Sequence, residues 1–336
     1  MMPPLHVIGA YYSHRPDPLV DRQHTRLSLL YKWAERLLDT RGVKVTIVEH
    51  TIGERPYELS PDDPRLKHVQ LFQLRGVPEH EHWISWSLLN YGLGHQPEDA
   101  RYLCWQDTDI THTRSDWAEL TVDMLQLHRI GQTWTTSVDL DPRGNQIANE
   151  RGDMVDRSFS AAWLSGDSVQ AASYGATTQA FKPQPGEKVD VRAHPGYSVA
   201  IRKSALQGIG RLIDWDLTGS SDWHMFRAFT GTLNQFDHRM TPAFNRKLRE
   251  FAARCDEHIR QDIGVVPGLI LAGWHGRKRD RYYIRRNEVM QLAAFDPDID
   301  ITYDVNGIPT LCTDNRALRD GLRRYNAARH EDSIDV

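Results

Sequence analysis

Hydrophobic and polar positions in the first third of the chain follow two periods, one typical of strands and one typical of helices. Residues 5–12 form an apolar run that predicts a buried strand. Apolar residues at helical spacing then predict a helix over residues 21–40, which Gly42 ends. Residues 43–49 are largely β-branched and predict a second strand with Glu49 at its C-terminal end. The pattern indicates a βαβ unit at the start of the chain.

The same alternation continues beyond this unit. A second helix is predicted over residues 83–91, and residues 101–106 predict a third strand that runs directly into Asp107-Thr108-Asp109. Ser115 is placed to cap a third helix. Strands that alternate with helices usually pair in parallel. We therefore predict an α/β fold with a single Rossmann-like, mostly parallel sheet flanked by helices.

The periodic pattern stops between residues 139 and 194, where Gly, Ser, Asp, Asn and Pro dominate. Such a segment is either a lid or binding loop or a poorly ordered insertion, and the sequence leaves both open. Patterning resumes with a predicted strand at residues 197–201 and predicted helices at 242–262 and 315–329. The last helix is amphipathic, with arginines mostly off its apolar face.

Composition excludes several classes of protein. The 336 residues carry 41 Lys and Arg against 45 Asp and Glu, a formal net charge of −4. Attraction to a polyanion therefore has to come from a local patch or a bound cation. The 3 cysteines lack CxxC spacing and predict neither a disulfide framework nor a cysteine zinc site. Without a leader or a long apolar stretch, we expect a cytoplasmic protein with no membrane span.

The first candidate for chemistry is the carboxylate pair Asp107 and Asp109, which directly follows an apolar strand. In extended backbone, residues i and i+2 point to the same side, roughly 6.5 Å apart. Both carboxylates could therefore bind one divalent cation, which in turn could hold a diphosphate. Open α/β sheets bind ligands at this edge, which favours a site over a solvated turn.

Two further groups lie downstream. His275 could supply an imidazole to a cation, and it is followed by basic residues suited to phosphate oxygens. These residues are Arg277, Lys278, Arg279 and Arg281. Asp222, in Gly219-Ser220-Ser221-Asp222, lies at a predicted helix start and could act as a general base. A helix N-terminal charge is the simpler interpretation of Asp222.

Taken together, these groups resemble metal-dependent glycosyltransferases of the GT-A fold, near family 2 and its phage-encoded and bacterial members. The matching stretches run in family order over nearly the whole chain: Trp105 to Asp109, His194-Pro195-Gly196-Tyr197, Gly219 to Asp222, His275 to Tyr283 and Arg329 to Ser333. One departure is that Ile84 and Ser85 follow Trp83, where members often carry Lys-Glu.

The resemblance implies a role for each matched residue. Asp107, Asp109 and His275 would coordinate Mn²⁺ or Mg²⁺, and Asp222 would be the base of an inverting transfer. The residues implied to bind a nucleotide-sugar donor, with UDP-sugars the expected kind, are Tyr11, Tyr12, Glu49, Asp107, Lys278 and Arg281. Tyr197 and Trp223 would lie on the acceptor side.

The same resemblance divides the chain by role. Residues 1–130 would be the nucleotide-sugar-binding half, ending after the Asp107-Thr108-Asp109 motif. Residues 131–314 would be the acceptor-side half, which includes the 139–194 loop and the His275 segment. Residues 315–336 would be a C-terminal amphipathic helix and tail.

The acceptor stays open at this point. Relatives in phage genomes suggest a hydroxymethylated base in DNA, which arginines of the last helix could contact through the phosphate backbone. An exposed helix face is the simpler interpretation of those arginines. A glycan, a lipid-linked sugar or a protein is an alternative acceptor.

Three other features are alternatives to this interpretation or additions to it. Gly196-Tyr197-Ser198-Val199-Ala200 approximates the G-x-S-x-G elbow of serine hydrolases but lacks its last glycine. His80 and His82 are interpreted as a surface cluster, because their spacing at a helix start does not suit a metal site. Indole rings stack well on sugars, and three tryptophans are candidates for this role: Trp134, Trp163 and Trp223.

Overall fold

A computed structural model describes residues 2–12, 26–80, 82–148, 154–167, 193–233, 240–276 and 286–329. The strands in these ranges are β1 (Leu5–Tyr12), β2 (Val43–Ile52), β3 (Val69–Gly76), β4 (Tyr102–Gln106), β5 (Ile110–His112), β6 (Ile130–Gln132), β7 (Thr136–Leu140), β8 (Gln146–Ile147), β9 (Asp156–Ser158), β10 (Ala193–His194), β11 (Ser198–Arg202), β12 (Ile263–Val265), β13 (Leu269–Ala272), β14 (Ile301–Tyr303) and β15 (Pro309–Leu311). The helices are α1 (Arg26–Leu38), α2 (Ser85–Gly94), α3 (Trp117–Leu127), α4 (Phe159–Leu164), α5 (Lys203–Ile209), α6 (Ser221–Phe229), α7 (Pro242–His258), α8 (Glu288–Leu292) and α9 (Arg316–Ala328).

A seven-stranded sheet in the order β12-β6-β11-β4-β1-β2-β3 forms the centre of the protein. Its strands run parallel except β11, which is antiparallel to both of its neighbours. Helices pack on both faces: α1 and α3 on one, and α2, α5, α6, α7 and α9 on the other. The predicted fold class, α/β with a mostly parallel sheet flanked by helices, is confirmed.

A second sheet lies beside the end of β4. Its order is β10-β9-β7-β13-β5, with β8 paired to β7. The chain enters this sheet at β5, three residues after the end of β4, and β13 pairs antiparallel with β5. Residues distant in sequence therefore meet at the C-terminal edge of the main sheet, where the chain passes from one sheet to the other.

Several predicted elements are confirmed with shifted bounds. β1 matches its prediction, and β4, β11, α2, α7 and α9 match within a few residues. β2 continues past Glu49 to Ile52, so Glu49 lies inside the strand rather than at its end. The N-cap of α3 is Asp116, not Ser115. Residues 21–25 of the first predicted helix lie outside the described residues, and α1 ends at Leu38.

Two sequence interpretations of the sheets were incomplete. β3 was not predicted, because this edge strand interrupts its apolar residues with Gln70, Gln73 and Arg75 and buries only Leu74 and Gly76. The 139–194 segment is not structureless in its described part, which holds the end of β7 followed by β8, β9, α4 and β10. Short paired strands gain their stability from neighbours distant in sequence, so a local pattern does not show them.

The division at residue 130 does not separate two folded units. β1 to β4 come from before it, whereas β6, β11 and β12 begin at it or after it, and all belong to the seven-stranded sheet. Leu318 and Leu322 of α9 are buried in the same core cluster as residues of α6 and α7. The three-part division therefore stays a prediction about roles. Within the described ranges, no helix has both the length and the hydropathy needed to cross a bilayer.

Candidate functional site

A cleft lies at the C-terminal ends of β1 and β4, where the main sheet meets the second one. Acidic, basic and aromatic side chains share its walls. Its described lining residues include Tyr11, Tyr12, Arg26, Trp83, Trp86, Asp107, Asp109, His194, Tyr197, Asp222, His275, Arg286 and Arg329. Most of the residues singled out in the sequence therefore lie around one cavity.

Asp109 and His275 meet in this cleft although 166 positions apart in the chain. Ala272 of β13 pairs with Ile110 of β5, and the amide of Gly273 donates to the carbonyl of Asp109 at 2.8 Å. This pairing places His275 Nε2 2.9 Å from Asp109 Oδ2. The strand pairing that joins β5 to β13 thus explains why two distant motifs form one site.

Hydrogen bonds fix the chain at Asp107 and at the residue before it. The amide of Asp107 donates to the carbonyl of Tyr197 at 2.7 Å. Just before it, Gln106 is buried and its Oε1 accepts a hydrogen bond from Trp33 Nε1 at 2.9 Å. Tyr197 itself has a φ of 71°, a left-handed backbone that non-glycine residues rarely adopt. Such strain is typical of positions that the surrounding structure fixes for function.

The residues predicted to bind a metal fit such an ion in part. Two carboxylates and one imidazole are a donor set that suits Mn²⁺ or Mg²⁺ with additional oxygens from a ligand. Asp109 and His275 are already within contact distance, and Asp107 lines the same cleft. Among the residues that the structure describes, however, no three such side chains are arranged as a complete metal site.

Tyr11 and Tyr12 line the cleft at the end of β1, and their contact with a donor stays a prediction. The Tyr11 hydroxyl donates to Glu58 Oε2 at 3.0 Å. The Tyr12 ring contacts Trp83 edge to face at 5.9 Å between centroids, and Arg26 Nη2 donates to the Tyr12 carbonyl at 3.1 Å. Both tyrosines are 6% exposed, so they form a wall of the cleft rather than a mobile cover.

Glu49, predicted to face the nucleoside, is not among the described residues that line the cleft. It is buried, and its Oε1 accepts hydrogen bonds from the amides of Glu58 at 2.6 Å and Leu59 at 3.2 Å. Gln73 of β3 donates to Glu49 Oε2 at 2.8 Å. Glu49 therefore anchors the segment that carries Glu58, the partner of Tyr11. Glu49 pairs in register with Tyr11 of β1, and these hydrogen bonds engage its carboxylate inside the fold.

Asp222 lies in the first turn of α6 and lines the same cleft as Asp109. Burial raises the pKa of its carboxyl to about 6, although the positive charge of Arg286 acts in the other direction. Asp222 Oδ1 accepts a hydrogen bond from the Trp223 amide at 2.8 Å. A Cβ at Gly196 would lie 3.0 Å from Asp222 Oδ2, so only a glycine leaves this oxygen its space. A carboxylate with a pKa near neutrality is suited to proton transfer.

The loop before α6 is fixed by a second buried carboxylate, Asp216. Its Oδ1 accepts hydrogen bonds from the amides of Thr218 at 3.0 Å and Gly219 at 3.1 Å. Its Oδ2 accepts one from the amide of Ser220 at 2.8 Å. Gly219 has a φ of 93°, and a Cβ there would lie 2.9 Å from the Trp83 ring. Asp216 thus positions both Asp222 and Trp83.

The residues predicted for the acceptor side divide into two groups. Tyr197 lines the cleft, stacks on His194 at 4.0 Å and donates from its hydroxyl to Asp139 Oδ1 at 3.2 Å. Trp223 packs edge to face on Phe159 at 5.6 Å and is not among the lining residues. Trp134 is fully buried, and the described tryptophans that line the cleft are instead Trp83, Trp86 and Trp105.

Sequence analysis missed two arginines of the cleft, Arg286 and Arg329. Arg286 is 6% exposed, and its charge acts on Asp222. Arg329 follows the end of α9, and its guanidinium lies 4.4 Å from the centroid of the Trp83 ring. Arg329 was part of a matched stretch, but the pattern of α9 gave no sign that the helix ends at the cleft.

Lys278 and Arg281, predicted to contact the donor, lie outside the described residues, as do Arg277 and Arg279.

The structure does not support the alternative of a serine hydrolase. Ser198 begins strand β11 rather than a strand-to-helix turn, and it is fully buried with its hydroxyl 2.6 Å from Thr133 Oγ1. A nucleophile needs an exposed hydroxyl next to a base.

His80 and His82 are buried, so their interpretation as a surface cluster was wrong. His80 contacts His50 through Nδ1 at 3.2 Å and Thr310 through Nε2 at 2.8 Å. His82 Nε2 lies 2.7 Å from the carbonyl of Pro309, and burial lowers the His82 pKa to about 4. Both histidines join the β14–β15 hairpin to the body of the protein.

Comparison with known proteins yields structural neighbours only. No protein-family model matches the chain, and no curated protein matches it. Glucosyl-3-phosphoglycerate synthase from Mycobacterium tuberculosis, in complex with Mn²⁺ and UDP-glucose, is 8% identical with a TM-score of 0.44, over 92% of this chain and 86% of that one. The catalytic domain of Drosophila β1,4-galactosyltransferase 7 is 9% identical with a TM-score of 0.37, over 95% and 98%.

A further neighbour is a nucleotide-diphospho-sugar transferase structure from Desulfovibrio desulfuricans, at 9% identity and a TM-score of 0.32, over 96% and 99% of the two chains. These neighbours are glycosyltransferases and nucleotide-sugar transferases by description. Each TM-score lies below 0.5. The functional argument therefore depends on the site itself.

Proposed function

We propose that the protein is a metal-dependent glycosyltransferase that transfers a sugar from a nucleotide-sugar donor, a UDP-sugar, to a hydroxyl acceptor with inversion. The observation that carries the proposal is the composition of the cleft. Asp109 and His275 are paired in a cleft that Asp107 also lines, and Asp222, with its raised pKa, lines the same cleft. The motifs that resemble GT-A glycosyltransferases support the same assignment.

On the donor side, the walls suit a nucleotide with a diphosphate. Tyr11 and Tyr12 border the space at the end of β1, where a base or ribose would pack against rings. Asp107, Asp109 and His275 would hold Mn²⁺ or Mg²⁺, which when bound supplies positive charge to the departing diphosphate. Lys278 and Arg281 are proposed to add charge there. Glu49 has no direct part in donor binding in this proposal, because its carboxylate is used inside the fold.

On the acceptor side, Asp222 is proposed as the general base. Its carboxylate takes the proton of the acceptor hydroxyl as that oxygen attacks the anomeric carbon of the donor sugar. The bond from the anomeric carbon to the diphosphate oxygen breaks at the same time, and the nucleoside diphosphate leaves. A direct displacement of this kind inverts the anomeric configuration. A pKa of about 6 leaves Asp222 mostly ionised at neutral pH and makes it more basic than an ordinary carboxylate.

The test is a turnover assay with defined donors and acceptors. The protein is incubated with Mn²⁺ and a panel of UDP-, GDP- and TDP-sugars, together with hydroxymethylated DNA, soluble glycans or a lipid-linked sugar. Release of nucleoside diphosphate and formation of a glycosylated product are both measured, and the anomeric configuration is read by nuclear magnetic resonance. We expect turnover with one donor class and an inverted product. Absence of turnover and of donor binding with every nucleotide sugar would remove the proposal.

Hydroxymethylated DNA is included as an acceptor because α9 presents arginines close to the cleft. Arg323 and Arg324 are exposed on this helix, and Arg329 follows its end in the cleft. Replacing Arg319, Arg323 and Arg324 together by Ala should abolish DNA binding if DNA is the acceptor, because each cation contributes to phosphate contact. A wild-type protein that does not bind DNA even at low salt would exclude this acceptor and leave the transfer chemistry in place.

A further inference from the structure

Two arginines stand on the same side of the cleft as Asp222. Arg286 is almost completely buried and close enough to Asp222 for its charge to lower the pKa of that carboxyl. Arg329 lies over the face of Trp83, with 4.4 Å from its guanidinium carbon to the ring centroid. Both line the cleft, which the acceptor has to enter in order to reach Asp222.

The position of Arg329 is fixed by the fold rather than by chance contact. Its Nη1 donates to the hydroxyl of Tyr325, and that hydroxyl donates to the carbonyl of Thr218 at 3.0 Å. Thr218 belongs to the loop that Asp216 holds in place before α6. The helix α9 is itself anchored, because a Cβ at Gly321 would lie 2.6 Å from Val289. Arg329 is therefore connected through Tyr325 to the loop that leads into α6 and Asp222.

Arg286 is connected to the same loop by its neighbour in the chain. Asn287 Oδ1 accepts hydrogen bonds from Thr218 Oγ1 at 3.2 Å and from Ser220 Oγ at 3.2 Å. Three elements thus meet at residues 218–220: the start of α6 with Asp222, the segment with Arg286, and the end of α9 with Arg329. Two guanidinium groups therefore give this part of the cleft positive charge beside Asp222.

These arginines are separate from the residues proposed to hold the donor diphosphate. Asp107, Asp109 and His275 come from the β4–β5 and β13 ends, whereas Arg286 and Arg329 attach to the loop before α6. An acceptor hydroxyl within hydrogen-bond reach of Asp222 places the neighbouring atoms of the acceptor near both guanidinium groups. Guanidinium groups bind phosphate through paired N–H donors, and they do so best where water is excluded.

We infer that the acceptor is an anionic molecule, one that carries a phosphate group close to its reacting hydroxyl, and that Arg286 and Arg329 bind this phosphate. The inference deepens the proposed function and depends on it for the role of acceptor. The phosphate could come from a phosphomonoester on a small molecule or from a phosphodiester of nucleic acid. Trp83, under Arg329, would form the floor of this subsite and pack against the acceptor.

The test measures phosphate binding without the donor reaction. The full chain is titrated in EDTA with inorganic phosphate and with a short single-stranded DNA oligonucleotide, and binding is followed by calorimetry and by the melting temperature. The variants are Arg329→Gln, Arg329→Lys and the control Arg316→Gln. Arg316 is exposed at the other end of α9, about 20 Å along the helix from Arg329.

We expect at least one of the two probes to bind to the wild type and the control alike. Arg329→Gln should weaken that binding about tenfold or more, and Arg329→Lys should weaken it less, because Lys keeps the charge but not the paired donors. Loss with inorganic phosphate indicates a phosphomonoester, and loss with the oligonucleotide alone indicates a phosphodiester. Equal binding by Arg329→Gln and Arg316→Gln, or no binding of either probe, would overturn the inference.

The outcome is distinguishable from a failure of the proposed function. Titration of the wild type with UDP-, GDP- and TDP-sugars in Mn²⁺ reports on the donor site alone. If phosphate binding depends on Arg329 but no nucleotide sugar binds, the anion site stands and the glycosyltransferase proposal falls. If a nucleotide sugar binds and phosphate binding is the same in Arg329→Gln as in the wild type, the donor site stands and the inferred anion site falls. In the transfer assay, Arg329→Gln should raise the KM for the acceptor and leave the KM for the donor unchanged.

Discussion

The carboxylate of Asp222 is half-buried in the cleft that Asp109 and His275 also line, and burial is what raises its pKa. An ionised carboxylate in such a place costs stability, because the folded protein favours its neutral form more than the unfolded chain does. Proteins keep groups of this kind where chemistry requires them. Two predictions at the scale of the residue follow from this cost.

The first concerns Asp222→Asn. Loss of a general base typically lowers turnover by about 10² to 10⁴, and the amide keeps the size of the side chain and an oxygen for the Trp223 amide. We expect donor binding to be unchanged and the melting temperature at pH 8 to be equal to or above that of the wild type, since a buried charge is removed. Unchanged turnover would contradict the role of the residue, and a lowered melting temperature would contradict the account of its pKa.

The second concerns pH. A base works when it is ionised, so turnover of the wild type should fall as the pH drops through about 6, the pKa of Asp222 in the folded protein. The measurement is kcat/KM between pH 5 and pH 8 under conditions where the protein stays folded. Residual turnover of Asp222→Asn should lack this inflection. An identical fall in that variant would assign the titration to another group.

At the scale of the elements, the loop before α6 positions the acceptor side of the cleft. Asp216 holds this loop through backbone amides, while Tyr325 of α9 and Asn287 bind to the same loop. Sequence periodicity predicted α9 as an amphipathic helix but not where its end would lie. The cleft therefore depends on contacts between residues that are 69 and 107 positions apart in the chain.

Replacing Asp216 by Ala should release this loop. A buried carboxylate that accepts several hydrogen bonds leaves those amides unsatisfied when it is removed, and the cost is on the order of 3 kcal/mol of unfolding free energy. We expect a lower denaturation midpoint together with a loss of turnover in Asp216→Ala. The midpoint and the turnover of Asp216→Asn should lie between those of the wild type and of Asp216→Ala. A variant with full stability and full turnover would show that the loop is held by other contacts.

Gly219 offers a sharper test of the same loop. Ala at this position combines a left-handed backbone with a Cβ 2.9 Å from the Trp83 ring, so the ring has to move. Gly144 is a matched control, because its φ of 83° carries the same backbone strain but a Cβ there meets nothing within 4 Å. Both substitutions should cost about 1 kcal/mol in strain. Turnover should fall in Gly219→Ala and stay near wild type in Gly144→Ala; equal turnover would show that the position of Trp83 is unimportant.

At the scale of the whole molecule, the sequence was sufficient for four of the seven strands of the main sheet, β1, β2, β4 and β11. β1, β2, β4 and the carboxylate pair follow from local patterns of apolar residues, which is why the α/β class was predictable. The β5–β13 pairing, the edge strand β3 and the place of Glu49 inside β2 were not, because they depend on contacts between distant segments. Arg286 and Arg329 were missed as cleft residues for the same reason.

The central claim, a metal-dependent nucleotide-sugar site, is tested most directly by calorimetric titration. UDP-, GDP- and TDP-sugars are titrated into the wild type in Mn²⁺ and in EDTA, and into Asp109→Ala in Mn²⁺. Because Asp109 is paired with His275 on the donor wall, its loss should weaken binding about as much as EDTA does, by roughly tenfold or more. We predict that one donor binds in Mn²⁺ and that both changes abolish or greatly weaken its binding. Equal binding in all three titrations, or none in the first, would contradict the account.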